Sequence, residues 1–277
     1  MLPSVRVLSF AIALVACSST RPGVTGDDDG SGADGGGMSD AGLGSASLVY
    51  AHTGNTLYRV DSTTLSVVEV GPLAGIGTES LTDLAIDKNQ KMVGITLDKL
   101  YSIDSSTGAA TLIKDLSQSA TGFTSLSYIP TDLTDPNSTD ILVTANDEGA
   151  VYQIDPTMGT ATMIGSYGSN AQGKIVSSGD LIGVRNLGIY ATVDVGEQTN
   201  DYLAKIDPAT WQATPIGSGT GFDQIFGLGY WAGTVYGFTA KGDMITIDIS
   251  TGVGTKVSAG SQAWYGAGVT TDAPVIQ

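Results

Sequence analysis

Three carboxylates have the type and spacing in the sequence that could support acid–base hydrolysis of a sugar. Glu79, Asp83 and Asp223 lie near the starts of segments in which apolar and polar residues alternate. Hydrolysis of a glycosidic bond needs two carboxyl groups about 5 to 9.5 Å apart. The equivalent positions of the other such segments carry no acid, being Thr124, Ser125, Ser177 and Gly266. The set is incomplete, so we assign no catalytic residue and keep a glycoside hydrolase as the least favoured alternative.

Aromatic residues in the same parts of the chain could bind a ligand without reacting. Trp264 and Tyr265 precede the last apolar segment, and an exposed ring beside polar groups can stack on a sugar or hold a cation. Trp231 lies at the far end of its segment and is expected in the core. His52, the only histidine, has no second imidazole or thiol with which to share a metal. We therefore predict no metal site and no cofactor.

The single cysteine follows an N-terminal export signal. Residues 1–16 carry one positive charge, Arg6, and then an apolar run that is too short to cross a bilayer as a helix. The run ends in "LVAC", which resembles the lipobox of bacterial lipoproteins. That resemblance implies cleavage before Cys17, lipidation of its sulfur and, from Ser18 in the next position, sorting to the outer membrane. A lone cysteine also leaves no internal disulfide in an exported chain.

Residues 17–45 have the composition of a linker. They are rich in Gly, Ser and Asp, with "GDDDGSGADGGGMSDAG" at their centre and five aspartates against one arginine. Such a segment has almost nothing to bury, so we predict disorder, with an r.m.s. span of roughly 30 Å. The folded part would then stand clear of the lipid headgroups.

One hairpin occurs five times from residue 46 onward. The copies are "TLYRVDSTTLSVVEV", "KLYSIDSSTGAATLI", "AVYQIDPTMGTATMI", "YLAKIDPATWQATPI" and "DMITIDISTGVGTKV", aligned on Asp61, Asp104, Asp155, Asp207 and Asp248. Their separations of 43, 51, 52 and 41 residues are typical of β-propeller blades. Each aspartate is expected to accept hydrogen bonds from turn amides, followed in three copies by a glycine of positive φ, Gly108, Gly159 or Gly252.

Two further strands per repeat complete the blades. Candidate innermost strands are "LTDLAID" at 81, "FTSLSYI" at 123, "KIVSSGDLI" at 174, "FGLGYWA" at 226 and "YGAGVTT" at 265. The segment "SLVYAHT" at 47 has no inner strand before it, and "YGAGVTT" has no hairpin after it. Pairing these two leftovers predicts an all-β, five-bladed propeller over residues 46–277, closed by the C-terminal strand. Through the pattern "LYxIDxxTGxxT" it resembles the YVTN and quinoprotein-like bacterial propellers, a class whose pattern says little about function.

Propellers usually bind ligands at the mouth of the central channel, where loops enter the innermost strands. We place the candidate site there, at Glu79, Asp223 and Trp264. Residues 46–277 carry 23 acidic and 10 basic side chains, so nucleic acids and anionic lipid surfaces are poor partners. We expect a monomeric, non-catalytic binding or scaffolding lipoprotein of the bacterial cell envelope. The partner, a protein or a glycan, stays open, and a lectin-like sugar binder is the first alternative.

Overall fold

The computed structural model describes residues 49–275, and every structural statement below refers to them. The predicted signal peptide, Cys17 and the linker lie outside the described residues. The strands of residues 49–275 are β1 (Val49–His52), β2 (Thr56–Val60), β3 (Val67–Pro72), β4 (Asp83–Ile86), β5 (Met92–Ile95), β6 (Lys99–Ile103), β7 (Ala110–Asp115), β8 (Ser127–Pro130), β9 (Asp140–Ala145), β10 (Ala150–Asp155), β11 (Thr160–Ser166), β12 (Ser169–Asn170), β13 (Gly173–Val184), β14 (Gly188–Val195), β15 (Tyr202–Ile206), β16 (Ala213–Pro215), β17 (Ile225–Trp231), β18 (Thr234–Thr239), β19 (Asp243–Ile247), β20 (Gly254–Ala259) and β21 (Gly266–Gly268). No helix in this stretch is long and apolar enough to span a membrane.

The strands form five antiparallel sheets, which we number as blades in chain order. Blade 1 has the order β21-β1-β2-β3, blade 2 is β4 to β7, blade 3 is β8 to β11, blade 4 is β12 to β16, and blade 5 is β17 to β20. The inner strands β4, β8, β13, β17 and β21 each contact the inner strands of both neighbouring blades, which closes a ring. The predicted five-bladed propeller is thereby confirmed.

Blade 1 is assembled from the two ends of the propeller, as predicted. Strand β21 pairs with β1 in an antiparallel register that places Gly266 opposite His52 and Gly268 opposite Tyr50. Without β21, the inner edge of β1 would present unpaired backbone groups to the channel. The last strand therefore satisfies an edge that is formed at the other end of the domain.

The repeated aspartates make the predicted turns. The Oδ1 atom of Asp104 accepts hydrogen bonds from the amides of Ser106 and Thr107 at 2.8 and 3.2 Å, and the other four aspartates accept the corresponding pair. The Ser106 hydroxyl and amide hold the pKa of Asp104 below its ordinary value. Positive φ follows at Gly108, Gly159 and Gly252, and the two copies without glycine place Leu65 and Trp211 in the same conformation, at 58° and 62°.

The apolar side chains that precede these aspartates pack between blades. All five are buried: Val60, Ile103, Ile154, Ile206 and Ile247. In each blade the inner strand starts at one end of the channel and the aspartate turn lies at the other, because successive strands are antiparallel. We call the end where the inner strands start the mouth face, and the end where they finish the clasp face.

Candidate functional site

A cavity of about 190 Å³ lies over the channel at the mouth face. Its lining comes from all five inner strands or from the residues just before them: Thr82, Thr124, Ser178, Gly179, Phe226 and Tyr265. In blade 4, Ser178 and Gly179 lie midway along β13, at the bulge between Ser177 and Leu181; in the other blades the lining residues lie near the start of the inner strand. The repeat places equivalent positions in a ring, so one ligand there would contact every blade. We call it the mouth cavity.

A second cavity, of about 410 Å³, adjoins the first and shares Thr82 and Tyr265 with it. Its remaining lining residues lie on the connections of blade 2: Glu79, Ser80, Thr96, Leu97 and Asp98. We call it the side cavity. The two cavities meet at Tyr265, whose side chain is 42% exposed.

The structure separates the three predicted site residues. Glu79 lines the side cavity and forms an ion pair with Lys99 through Oε1. Asp223 lies on the loop before β17, lines neither cavity and pairs with Lys241 at 2.6 Å. A ligand-binding role for these two carboxylates stays a prediction.

The prediction that the ring of Trp264 is exposed at the mouth is wrong. Its side chain is 2% exposed and packs edge-on against Tyr58 and Phe238, with ring centroids 5.2 and 5.7 Å away. The indole fills the seam between blades 5 and 1, where a large apolar group gains more from burial than from exposure. The next residue, Tyr265, is the one that faces the mouth. Trp231, expected in the core, is 7% exposed and lies there.

Two carboxyl groups lie directly beneath the mouth cavity. Asp83 and Asp180 follow lining residues in the chain and are fully buried. Each accepts amide hydrogen bonds across a blade boundary, Asp83 from Leu126 at 2.6 Å and Asp180 from Leu228 at 2.5 Å. The carboxyls thus satisfy channel-facing N–H groups of inner strands that have no strand partner on that side.

Burial raises the pKa of both carboxyls. The pKa of Asp83 is well above its ordinary value because of desolvation and then the neighbouring charge of Asp180, and desolvation raises the pKa of Asp180 too. The two groups are close enough for a hydrogen bond between them, which favours retention of a proton by the pair. Asp83 is therefore a buried structural group and not a carboxylate that lines the cavity.

His52 lies beside this pair and is also fully buried. Its Nδ1–H donates to the carbonyl of Thr53 at 2.8 Å, and Nε2 has no hydrogen-bond partner among the described residues. Both Nε2 and Oδ1 of Asp83 lie 2.4 Å from the point where a Cβ on Gly266 would stand. Burial lowers the pKa of His52 to about 4, so the ring is neutral near pH 7. Within residues 49–275, no three His, Cys, Asp or Glu side chains could hold a metal ion together.

Asp201 fixes the wall of the mouth cavity in blade 4. It accepts hydrogen bonds from the amide of Ile225 at 2.7 Å and from the hydroxyl of Ser178. Burial raises its pKa to about 6. The segment "DVGEQTND", which departs from the repeat and ends at Asp201, therefore positions Ser178 of β13 and the start of β17 at the mouth.

The clasp face is organised around a buried arginine. Arg185, 5% exposed, pairs with Asp140 of blade 3 and with Asp272 of the C-terminal segment, both at 2.6 Å. The same guanidinium donates to the carbonyls of Asp135 and Ser138 in the insertion "PTDLTDPNSTD". This insertion therefore joins blade 3, blade 4 and the chain end. It lies on the face opposite the mouth cavity.

Sequence reasoning missed Phe226, Asp180 and Arg185. Phe226 could have been found as the blade 5 equivalent of Thr82 and Thr124, because the repeat aligns these positions. Asp180 and Arg185 are charged residues within or just after an apolar strand, a pattern that indicates a paired or protonated group. Their partners are distant in sequence, and nothing local identifies them.

Comparison with known proteins gives a fold likeness and no family. No protein-family model and no curated protein matches the chain. Among solved structures it is similar to the computationally designed Ika4 protein, at 18% identity and a TM-score of 0.35 over 64% of this chain and 96% of that one. A protein of unknown function from Bacteroides caccae matches at 10% identity and a TM-score of 0.39, over 77% and 72% of the two chains. The gluconolactonase XC5397 from Xanthomonas campestris matches at 16% identity and a TM-score of 0.42, over 62% of this chain and 59% of its own length. These likenesses are too distant to carry any conclusion about activity.

Proposed function

We propose that this protein is a lipoprotein of the bacterial outer membrane whose propeller binds a ligand, without catalysis, at its mouth face. The observation that carries the binding role is the mouth cavity, to which all five blades contribute. Rigid strand ends hold such side chains in place better than loop tips do. The acid–base set that would favour an enzyme is weak, because Asp83 is buried and Asp223 is paired with Lys241.

The position of the ligand can be tested on intact cells. A photo-crosslinking amino acid is placed at Ser80, an exposed position of the side cavity, or at Asn89, an exposed turn residue between β4 and β5 on the clasp face. We expect specific adducts from Ser80 and none from Asn89. Adducts from Asn89 alone, or equally from both, would contradict binding at the mouth face.

The tether can be tested separately. Cys17→Ala should move the protein from the membrane fraction to the soluble fraction, because lipidation at that sulfur supplies the only proposed anchor. Ser18→Ala is the matched control and should stay with the membranes. A Cys17→Ala variant that still partitions with membranes would overturn the lipoprotein proposal and leave the binding proposal untouched.

A further inference from the structure

We propose that the two cavities are adjoining subsites for a neutral glycan, with one sugar ring in the mouth cavity, the next in the side cavity and Tyr265 between them. This inference rests on the proposed binding function and names its ligand class. Four features of the described residues carry it.

The first feature is the two-sided lining of the mouth cavity. Blades 5 and 1 contribute the aromatic residues Phe226 and Tyr265, and blades 2, 3 and 4 contribute the hydroxyl-bearing residues Thr82, Thr124 and Ser178. No charged side chain lines it. A pyranose ring has the same division, since its C–H face is apolar and its edge carries hydroxyls. A ring lying against the aromatic side would point its hydroxyls at the other three blades.

The second feature is the hydrogen-bond state of those three hydroxyls. Thr82 donates to the carbonyl of Ile95 at 3.2 Å, Thr124 donates to that of Ala145 at 3.3 Å, and Ser178 donates to the carboxyl of Asp201. Each hydroxyl has therefore committed its hydrogen inside the protein and keeps lone pairs. The mouth presents acceptors, so a fitting ligand must donate. Sugar hydroxyls donate, whereas carboxylate, phosphate and sulfate groups do not.

The third feature is the acidic lining of the side cavity. Glu79 and Asp98 contribute carboxylates, and Lys99 lies between them, 3.6 Å from Asp98 and paired with Glu79. Carboxylates bind sugar hydroxyls well as acceptors, and one shared lysine leaves an excess of negative charge. Uronic, sialic or sulfated sugars would be repelled here, and the net charge of the propeller adds to that repulsion.

The fourth feature is the fixed backbone position of Tyr265. Its amide donates to the carbonyl of His52 at 2.9 Å, and β21 begins at the next residue. The ring also passes Gly54, where an added Cβ would lie 3.8 Å from it. A tyrosine side chain has only two rotatable bonds, so on this fixed backbone at the junction of two cavities the ring can stack on a sugar with a small loss of conformational entropy.

The binding test uses the purified full-length protein on an array of neutral, amino and anionic oligosaccharides. We expect neutral oligosaccharides to bind and their uronate, sialylated or sulfated counterparts not to bind. Tyr265→Ala should weaken binding by about tenfold because stacking is lost, and Tyr265→Phe should bind nearly as well as the wild type. Glu148→Gln is the control: this exposed residue of the β9–β10 connection lies on the same face outside both cavities and should change nothing.

Specificity gives an independent readout. Asp98→Asn should raise the affinity for anionic oligosaccharides relative to neutral ones, since it removes one carboxylate from the side cavity. An array with no binding, a preference for anionic sugars, or full binding by Tyr265→Ala would overturn the glycan inference. Tetramethylammonium binding that Tyr265→Ala abolishes, without glycan binding, would assign the cavity to cations instead. If the array is blank while Ser80 still crosslinks a protein on cells, the glycan inference fails and the proposed binding function stands.

Discussion

The two faces of the propeller use polar side chains in opposite ways. On the clasp face, Arg185 pairs with Asp140 and with Asp272 and donates to the backbone carbonyl of Ser138. On the mouth face, the hydroxyls of Thr82 and Thr124 donate their hydrogens to backbone carbonyls and keep lone pairs, and both residues line a cavity. One repeat thus produces two different faces. The clasp face joins the C-terminal segment to blades 3 and 4, and the mouth face keeps hydrogen-bond acceptors that a ligand could use. Polar residues form a candidate binding site where some of their hydrogen-bonding groups have no partner inside the protein.

The ion pairs on the two faces make the contrast quantitative. Arg185 and Asp140 are each 5% exposed, whereas Lys241 and Asp223 near the mouth are 62% and 44% exposed. A buried charge that loses its partner stays desolvated, and an exposed one is rehydrated. The comparison therefore predicts unequal costs for chemically similar substitutions.

The largest effect is expected at Arg185. Arg185→Met leaves the buried carboxylate of Asp140 without its cation and releases Asp272 of the closing segment, so the free energy of unfolding should fall by about 3–5 kcal/mol. Lys241→Met is the matched control and should shift the melting temperature by about one degree at most. Urea and thermal unfolding of the full-length chain measure both. Equal losses in the two variants would contradict the contrast between the faces.

An intermediate effect on the free energy of unfolding is expected from a change of pH. It arises from the carboxyl pair at the mouth side of the channel. The folded-state pKa values of Asp83 and Asp180 are raised, so above the ordinary carboxyl pKa the folded protein holds a proton that the unfolded chain has lost. Stability should then fall as pH rises, by about 1.4 kcal/mol per pH unit for each retained proton.

The window from about pH 7 to pH 8 isolates the proton of Asp83, because the pKa of Asp180 is raised to about 7 and this second group ionises as the window begins. His52, with a pKa lowered to about 4, and Tyr167, with a pKa raised by burial, are the other titratable groups beside the pair, and both are neutral there. The exposed turn aspartates have lowered pKa values and are ionised in both states. Urea unfolding at a series of pH values measures the slope. A stability that is flat or rises across this window would mean that Asp83 is ionised in the folded protein.

The smallest effect is expected at the outer ring of the clasp face. Asp104→Ala removes the acceptor of two turn amides and should lower the melting temperature by a few degrees, about what the loss of a local cap costs. Binding at the mouth should not change, because the turn lies at the opposite end of the blade. Differential scanning calorimetry and the glycan array give the two readings. Lost binding with unchanged stability would assign the repeated aspartates a functional role.

The local features of the repeat were predictable because they depend on neighbours in sequence. Asp104, Ser106 and Gly108 form their turn whatever surrounds them, and the same spacing five times implies five blades. The closing strand was predictable for a related reason, since "SLVYAHT" and "YGAGVTT" were the two segments left without partners. Edge strands need partners, and the first and last strands of the propeller pair with each other.

The presence of a cavity at the channel mouth was predictable, and the residues that line it were not. Trp264 and Tyr265 are adjacent, and successive side chains of an extended segment point to opposite sides. Which of the two faces the mouth depends on how the chain crosses from blade 5 to blade 1. The larger apolar ring, that of Trp264, is buried between these two blades. The pairing of Glu79 with Lys99 likewise depends on the approach of two segments of blade 2 that are 20 residues apart.

The sequence by itself determined the blade, the number of blades and the order in which they close, because turn hydrogen bonds and strand alternation act over a few residues. Only the tertiary structure decided which polar groups form hydrogen bonds or ion pairs inside the protein. Asp180 meets the amide of Leu228, and Arg185 meets Asp272, across 48 and 87 residues. Such partners are brought together by the packing of blades against one another, and burial then sets whether a carboxyl carries a proton, forms an ion pair or keeps a lone pair for a ligand.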